Sequence, residues 1–147
     1  FIISSVHPKT ETDGRISPYT LFSKFQSHFQ NHRFARNRIN YSVPLLNKQA
    51  QFEDTFVQID FFKEKVMVEV QFGKYAFMFY DMAKFQYFFN ERKADVGVEI
   101  VPCHALQKEM SSGVSYGEQL VYDIERLKRH FPAVPVKIIL VDAELNQ

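Results

Sequence analysis

Three side chains near the middle of the chain have types and spacing that could do chemistry: Asp60, Glu69 and Gln71. Asp60 ends a β-rich run, Thr55-Phe-Val-Gln-Ile-Asp60, and the other two lie in the next run. From Lys65 to Phe72 the residues alternate strictly. Val66, Val68, Val70 and Phe72 point one way; Met67, Glu69 and Gln71 point the other. Lys63-Glu64 can turn the chain, so the two runs read as an antiparallel hairpin that brings Asp60 towards Glu69. Two carboxylates held that close repel, and burying both is costly without a cation. A hard divalent ion such as Mg²⁺ resolves the conflict, because it takes oxygen ligands and keeps water in its remaining positions. The backbone carbonyl of Val70 offers one more oxygen. Such an ion activates a water and stabilises charge on a phosphoryl oxygen. The competing reading is the polar face of an ordinary hairpin. Against it, Glu69 and Gln71 interrupt a strongly apolar strand, where a lone carboxylate needs a partner.

Other chemistries find little support. The chain has no G-x-S-x-G, no H-E-x-x-H and no glycine-rich phosphate loop. Its five histidines are scattered; His28 and His32 share a helix face but read as solvent-facing. Cys103 and His104 are adjacent, and neighbouring side chains diverge on a strand or a helix. A single cysteine makes no intramolecular disulfide and no cysteine-based zinc site, which fits a cytoplasmic location. No apolar run is long enough for a membrane span.

The elements that must position these residues follow from pattern. The 147 residues predict a single domain over 1–147. Sixteen Phe and seven Tyr supply much of its core, and a net charge of +1 means that any DNA-binding surface must be made by sorting basic groups onto one face. Residues 1–16 read as irregular. Ser17-Pro18 reads as a helix start, with Leu21, Phe22, Phe25 and Phe29 at helical spacing to about His32. Arg33 to Arg38 is a basic segment, and residues 41–54, with Pro44, read as a connection. Tyr75 to Asn90 predicts a buried central helix, and Asp95 to Val101 a buried strand stopped by Pro102. Met110 to Gly113 is a loop. Ser115, with Glu118 three residues on, predicts a capping box opening a helix to about His130, and Val134 to Val141 a last strand. The order is helix, strand, strand, helix, strand, helix, strand. It implies an α/β domain with a mixed sheet, the hairpin at one side and helices on both faces.

Four blocks then carry a resemblance: Val68-Glu-Val-Gln-Phe-Gly-Lys-Tyr75, Asp95-Val-Gly-Val-Glu-Ile100, Lys108-Glu-Met-Ser-Ser-Gly-Val-Ser-Tyr116 and Pro132-Ala-Val-Pro135. In order and spacing they are similar to the BstYI/BglII family of type II restriction endonucleases, from about Thr55 to Val141. The resemblance implies the PD-(D/E)xK nuclease fold, a three-layer α/β/α domain. It implies a homodimer that cuts double-stranded DNA at a palindromic GATC-containing site and leaves 5′ overhangs. It implies Asp60, Glu69 and Gln71 at the catalytic positions, with Asp60, Glu69 and the Val70 carbonyl on Mg²⁺, for which Mn²⁺ can substitute. Most of the superfamily has Lys where Gln71 stands, and this branch has Gln. The resemblance also implies that Lys74 stands at a DNA-reading position and that Ser111, Ser112 and Gly113 belong to a base-contacting loop. A cognate DNA methyltransferase is expected in the same host. Phe22, Gly117 and a short connection between Tyr41 and Thr55 depart from the family pattern. They bear on outer-base specificity and DNA wrapping rather than on the chemistry. The alternatives on the same fold are a non-cleaving DNA-binding or regulatory homologue and a repair-type nicking nuclease.

Overall fold

The computed structural model describes the backbone of residues 15–41 and 55–142, and the side chains of 15–36 and 57–142. The expected irregular start and the connection around Pro44 lie outside these residues. In chain order the elements are α1 (Pro18–Asn31), β1 (Ala35–Tyr41), β2 (Thr55–Lys63), β3 (Val66–Val70), α2 (Tyr75–Asn90), β4 (Val96–Pro102), α3 (His104–Lys108), α4 (Gly117–Leu127) and β5 (Val136–Val141). The five strands form one sheet in the order β1-β2-β3-β4-β5. The first two pairings are antiparallel and the last two parallel, so the sheet is mixed.

The alternation along β3 sorts its side chains as the sequence predicts. Val68, Val70 and Phe72 enter a core shared with Leu21 and Phe25 of α1 and Leu106 of α3. Met67 enters the other core, with Met78, Met82, Phe85 and Phe88 of α2 and Leu120 of α4. The sheet is therefore the middle of three layers, and Glu69, in phase with Met67, faces α2. The β2–β3 turn has positive φ at both Glu64 and Lys65, as a tight two-residue hairpin requires.

Four expectations need correction. The expected element order lacks a strand that forms in the basic segment after α1: Ala35–Tyr41 is β1, which pairs with β2 and continues the sheet beyond the hairpin. Asp60 does not end its strand, because β2 continues to Lys63. The helix at 75–90 is not buried all round, since Phe77 and Tyr80 are 55% and 53% exposed. The capping box does not form. Tyr116 is the N-cap of α4, the helix stops at Leu127, and Glu118 instead accepts from the His104 backbone N–H at 2.9 and 3.1 Å. The Glu118 carboxylate thus serves the first turn of α3, a tertiary cap that local spacing does not reveal.

Helix α2 packs its Phe85 ring directly onto β4. A Cβ on Gly97 of β4 would sit 2.5 Å from the Phe85 ring, so the glycine makes room for that ring. Gly97 pairs with Met67, two residues before Glu69. Other contacts fix the helix along its length. The Tyr75 hydroxyl donates to Asp123 of α4. Gln86 Oε1 accepts from the backbone N–H groups of Ala133 and Val134 at 2.6 and 3.1 Å. These contacts bring the polar residues of α2 onto the β3 face that carries Glu69.

Candidate active site

Asp60 reaches Glu69 through an irregularity in β2. Ala35 pairs with Phe62 but Asn37 pairs with Ile59, so two steps along β1 match three along β2. The extra residue falls at Asp60-Phe61. Such a β-bulge bends a strand and re-aims a side chain, and bulges are common beside active sites. Its effect is visible in the packing: Ile59 enters the α2-side core and Phe61 the opposite one, although they are two apart. The β2–β3 pairing runs Lys63↔Val66, Phe62↔Met67, Phe61↔Val68, which aims the next residue, Asp60, at Glu69. The two carboxyl groups lie within hydrogen-bonding reach.

Four acidic side chains converge here. Glu69 is 2% exposed, Asp81 of α2 is 2% and Glu99 of β4 is fully buried; Asp60 is half-buried. Glu69 and Glu99 are partners in the parallel β3–β4 ladder and so share a face. Lys84 of α2 is the cation set among them. Its ammonium lies 2.5 Å from Glu69 Oε1 and 2.8 Å from Asp81 Oδ1, and it donates to the Gln58 carbonyl at 3.3 Å. Gln71 Nε2 donates to Asp81 Oδ2 at 3.1 Å.

One ammonium does not neutralise four acids, and three of them are deeply buried. Burial, with Asp81 and Asp60 nearby, pushes the Glu69 carboxyl up to about 9 against the opposing pull of Lys84. Burial also raises Asp81, although Lys84 and Gln71 stabilise its charged form. Glu99 is driven well above the carboxylate range by burial and by Asp81 and Glu69. Among the described residues neither Glu99 oxygen has a hydrogen-bond partner. Burial alone would lower the Lys84 pKa, but Glu69 and Asp81 outweigh it and hold the ammonium charged.

Asp60 and Gln71 also border a cleft. It is about 320 Å³ and is lined by Asp60 of β2, Val70 of β3, Gln71 and Gly73 just beyond that strand, and Tyr19 and Phe22 of α1. Lys74, just beyond, is the exposed N-cap of α2. The Ser115 N–H donates to the Gly73 carbonyl at 2.9 Å, tying the loop of Ser111, Ser112 and Gly113 to the segment that carries Lys74. Ser112 and Gly113 are exposed, and Gly113 has a φ of +95° that favours glycine.

The structure therefore brings Asp60, Glu69, Val70 and Gln71 together and sets Lys74 and the serine loop on a neighbouring rim. Asp81, Lys84 and Glu99 join these residues only in the folded chain. A signal for the first two was present: they are the charged residues of a sixteen-residue helix whose other members, Gln86 and Asn90 apart, are aromatic or apolar. The remaining candidates keep their ordinary roles. Cys103 caps α3, its sulfur accepting from the Leu106 N–H at 3.4 Å. His28 and His32 are exposed on α1. Among the described residues no helix is long and apolar enough to cross a membrane.

The family model for restriction endonuclease BglII/BglIII matches residues 4–141. The chain belongs to the BglII/BglIII restriction endonuclease family. Solved structures agree on the fold. BglII complexed with a DNA 16-mer matches with a TM-score of 0.67 at 18% identity, covering 90% of this chain and 60% of that one. Free BglII matches with a TM-score of 0.63 at 17% identity, over 90% and 62%. No curated protein sequence matches. The chain spans about 60% of the length of the BglII chain seen with DNA. With the family established, the three-layer architecture with its mixed sheet is the restriction-endonuclease fold expected from the sequence.

Proposed function

We propose that the chain is a type II restriction endonuclease, a site-specific deoxyribonuclease that hydrolyses phosphodiester bonds with the help of a divalent metal. The observation that carries this reading is the meeting of Asp60 and Glu69 across the bulged hairpin, with Gln71 beside them at an open cleft. Family membership and the fold match to a protein solved with DNA support it.

The donor set suits Mg²⁺. Among the described residues no group of three or more His, Cys, Asp and Glu is arranged to hold a metal. Mg²⁺ is commonly bound by one or two carboxylates plus water and substrate phosphate. Asp60, Glu69 and the Val70 carbonyl form such a set, and the excess of buried acid around Glu69 is what a cation would relieve. When bound, the ion supplies charge stabilisation at the scissile phosphate and acidifies a water. The chain's own residues do the rest. Gln71, neutral and fixed through its nitrogen, orients the attacking water with its oxygen and leaves the electrostatic work to cations. Lys74 donates to a guanine edge or a phosphate, and Ser112 in its glycine-bearing loop reaches a base edge.

The finer reading is cleavage of a GATC-containing palindrome to 5′ overhangs by a homodimer, since a two-fold site is read by a two-fold protein. A methyltransferase protecting the same site belongs with it. The test is substitution of the acids. Asp60→Asn and Glu69→Gln each remove cleavage while specific binding in Ca²⁺ persists, and EDTA abolishes cutting by the parent. Cleavage at the parental rate by either variant, or in EDTA, contradicts the proposal. Light scattering that shows a monomer both free and on DNA contradicts the dimer.

A further inference from the structure

We propose that Asp81 and Lys84 on α2 are positioning residues for this cleavage, clamping Gln71 and Glu69 from the helix side of the site; the proposal rests on the endonuclease reading. The two residues are one helical turn apart and share a face. Between them they bind both functional side chains of the Glu-x-Gln strand. Asp81 uses one oxygen for Gln71 Nε2, at 3.1 Å, and the other for Lys84, at 2.8 Å. Lys84 closes the chain on Glu69 Oε1 at 2.5 Å.

An ammonium has three donor hydrogens. Glu69, Asp81 and the Gln58 carbonyl take one each, and the Lys84 side chain is only 13% exposed. It is therefore fixed by direction as well as by charge. The consequence at Gln71 is specific. The two ends of a primary amide have nearly the same shape, so packing alone does not choose between them. The Asp81 carboxylate chooses: only the NH₂ end can donate to it. The oxygen end is thereby set over Gly73, 2.6 Å from where a Cβ on that residue would be, on the side that lines the cleft. Without Asp81 the amide is free to turn and present donors where the water needs an acceptor. At Glu69, Lys84 occupies one oxygen and leaves the other for a further partner. Helix α2 can impose this geometry because Gly97 lets it approach and because Tyr75 and Gln86 anchor it on either side of the pair.

The test uses the full chain, with Asp81→Asn, Lys84→Met and Lys84→Arg. Asn offers one acceptor oxygen where Asp offers two, so it cannot serve Lys84 and Gln71 together. Single-turnover cleavage should fall about 10- to 100-fold in Asp81→Asn and Lys84→Met, the scale of a misplaced reacting group. The Kd for cleavage-site DNA in Ca²⁺ should change less than about threefold, because neither residue is placed on the DNA-reading rim. Lys84→Arg, which keeps a cation between two carboxylates, should recover roughly tenfold of the rate. An activity-independent readout is the side-chain amide signal of Gln71 in a ¹H–¹⁵N spectrum, assigned by its loss in Gln71→Ala. It should be protected from exchange in the parent and should move and lose protection in Asp81→Asn. Parental rates and an unmoved Gln71 signal overturn the clamp. So do rate and melting temperature falling together without rescue by Arg. A parent that cuts no DNA sinks the endonuclease reading instead, and the amide signal still decides whether the clamp exists.

Discussion

Gly97→Ala tests the packing that places α2 over the site. The added Cβ would lie 2.5, 2.7 and 3.0 Å from three atoms of the Phe85 ring, whereas ordinary contact begins near 3.4 Å. Something must give by roughly 1 Å. The ring cannot swing into solvent, because Phe85 is fully buried among Met78, Met82, Phe88 and Leu120. The relief is therefore a shift of α2 away from β4, and overpacking of this kind costs about 1–3 kcal/mol. For a chain of this size that lowers the melting temperature by about 2–12 °C, at roughly 2–4 °C per kcal/mol. The shift also draws Asp81 and Lys84, within one turn of Phe85, away from Gln71 and Glu69, so single-turnover cleavage should fall further than the stability loss explains. Urea denaturation of Gly97→Ala, Phe85→Leu and the double variant gives the coupling. Phe85→Leu alone destabilises by emptying space, but it should cost less in the Gly97→Ala background, because the smaller side chain makes room for the methyl. Additive effects, or a Gly97→Ala protein as stable and as active as the parent, would refute the claim that this contact sets the helix.

Further outcomes follow from the same geometry. In EDTA the melting temperature should fall as pH rises from about 5 to 9. Folding raises Glu69 from its usual 4.5 to about 9 and raises Glu99 in the same direction, so the folded chain holds protons that the unfolded chain has lost. That stabilisation is complete below about 4.5 and is spent by about 9. Mg²⁺ should restore more stability at pH 8.5 than at pH 5.5, since it binds the deprotonated carboxylates, and Glu99→Gln should flatten part of the slope; a level profile in EDTA would contradict the cluster. Lys74→Ala should weaken specific binding by about 1–3 kcal/mol if it contacts a base, whereas a phosphate contact weakens binding to all sequences and lowers the salt slope by about one. Ser112→Ala should cost less, concentrated at the outer base pair; both variants discriminating among duplexes as the parent does would remove this rim from the site.

What the sequence makes legible is what period and local chemistry encode. Strand β3 is readable because a period of two sorts Val68 and Val70 from Met67 and Glu69, and each set meets a different core. The start of α1 is readable because Pro18 suits the first helical position. The bulge at Asp60 leaves no mark in composition; it appears only when β2 is paired with β1. Strand β1 itself, Ala-Arg-Asn-Arg-Ile-Asn-Tyr, lacks apolar alternation and carries charge, as edge strands do to resist further pairing. Glu118 shows a local pattern losing to tertiary structure, because its carboxylate finds the orphan N–H of His104 rather than its own helix start. Asp60, Glu69 and Gln71 could be named from spacing and resemblance. The helix-borne Asp81 and Lys84 join them only through the fold, which brings residues ten or more positions apart within bonding distance.

The most direct test of the central claim is a digest of a plasmid of known sequence, with the ends mapped, run in Mg²⁺ beside an EDTA control and the Glu69→Gln variant. Metal-dependent double-strand breaks at a palindrome containing GATC, with 5′ overhangs and none from the variant, are the predicted result. Intact plasmid in Mg²⁺, single-strand nicks without a fixed sequence, or equal cutting by Glu69→Gln would contradict it.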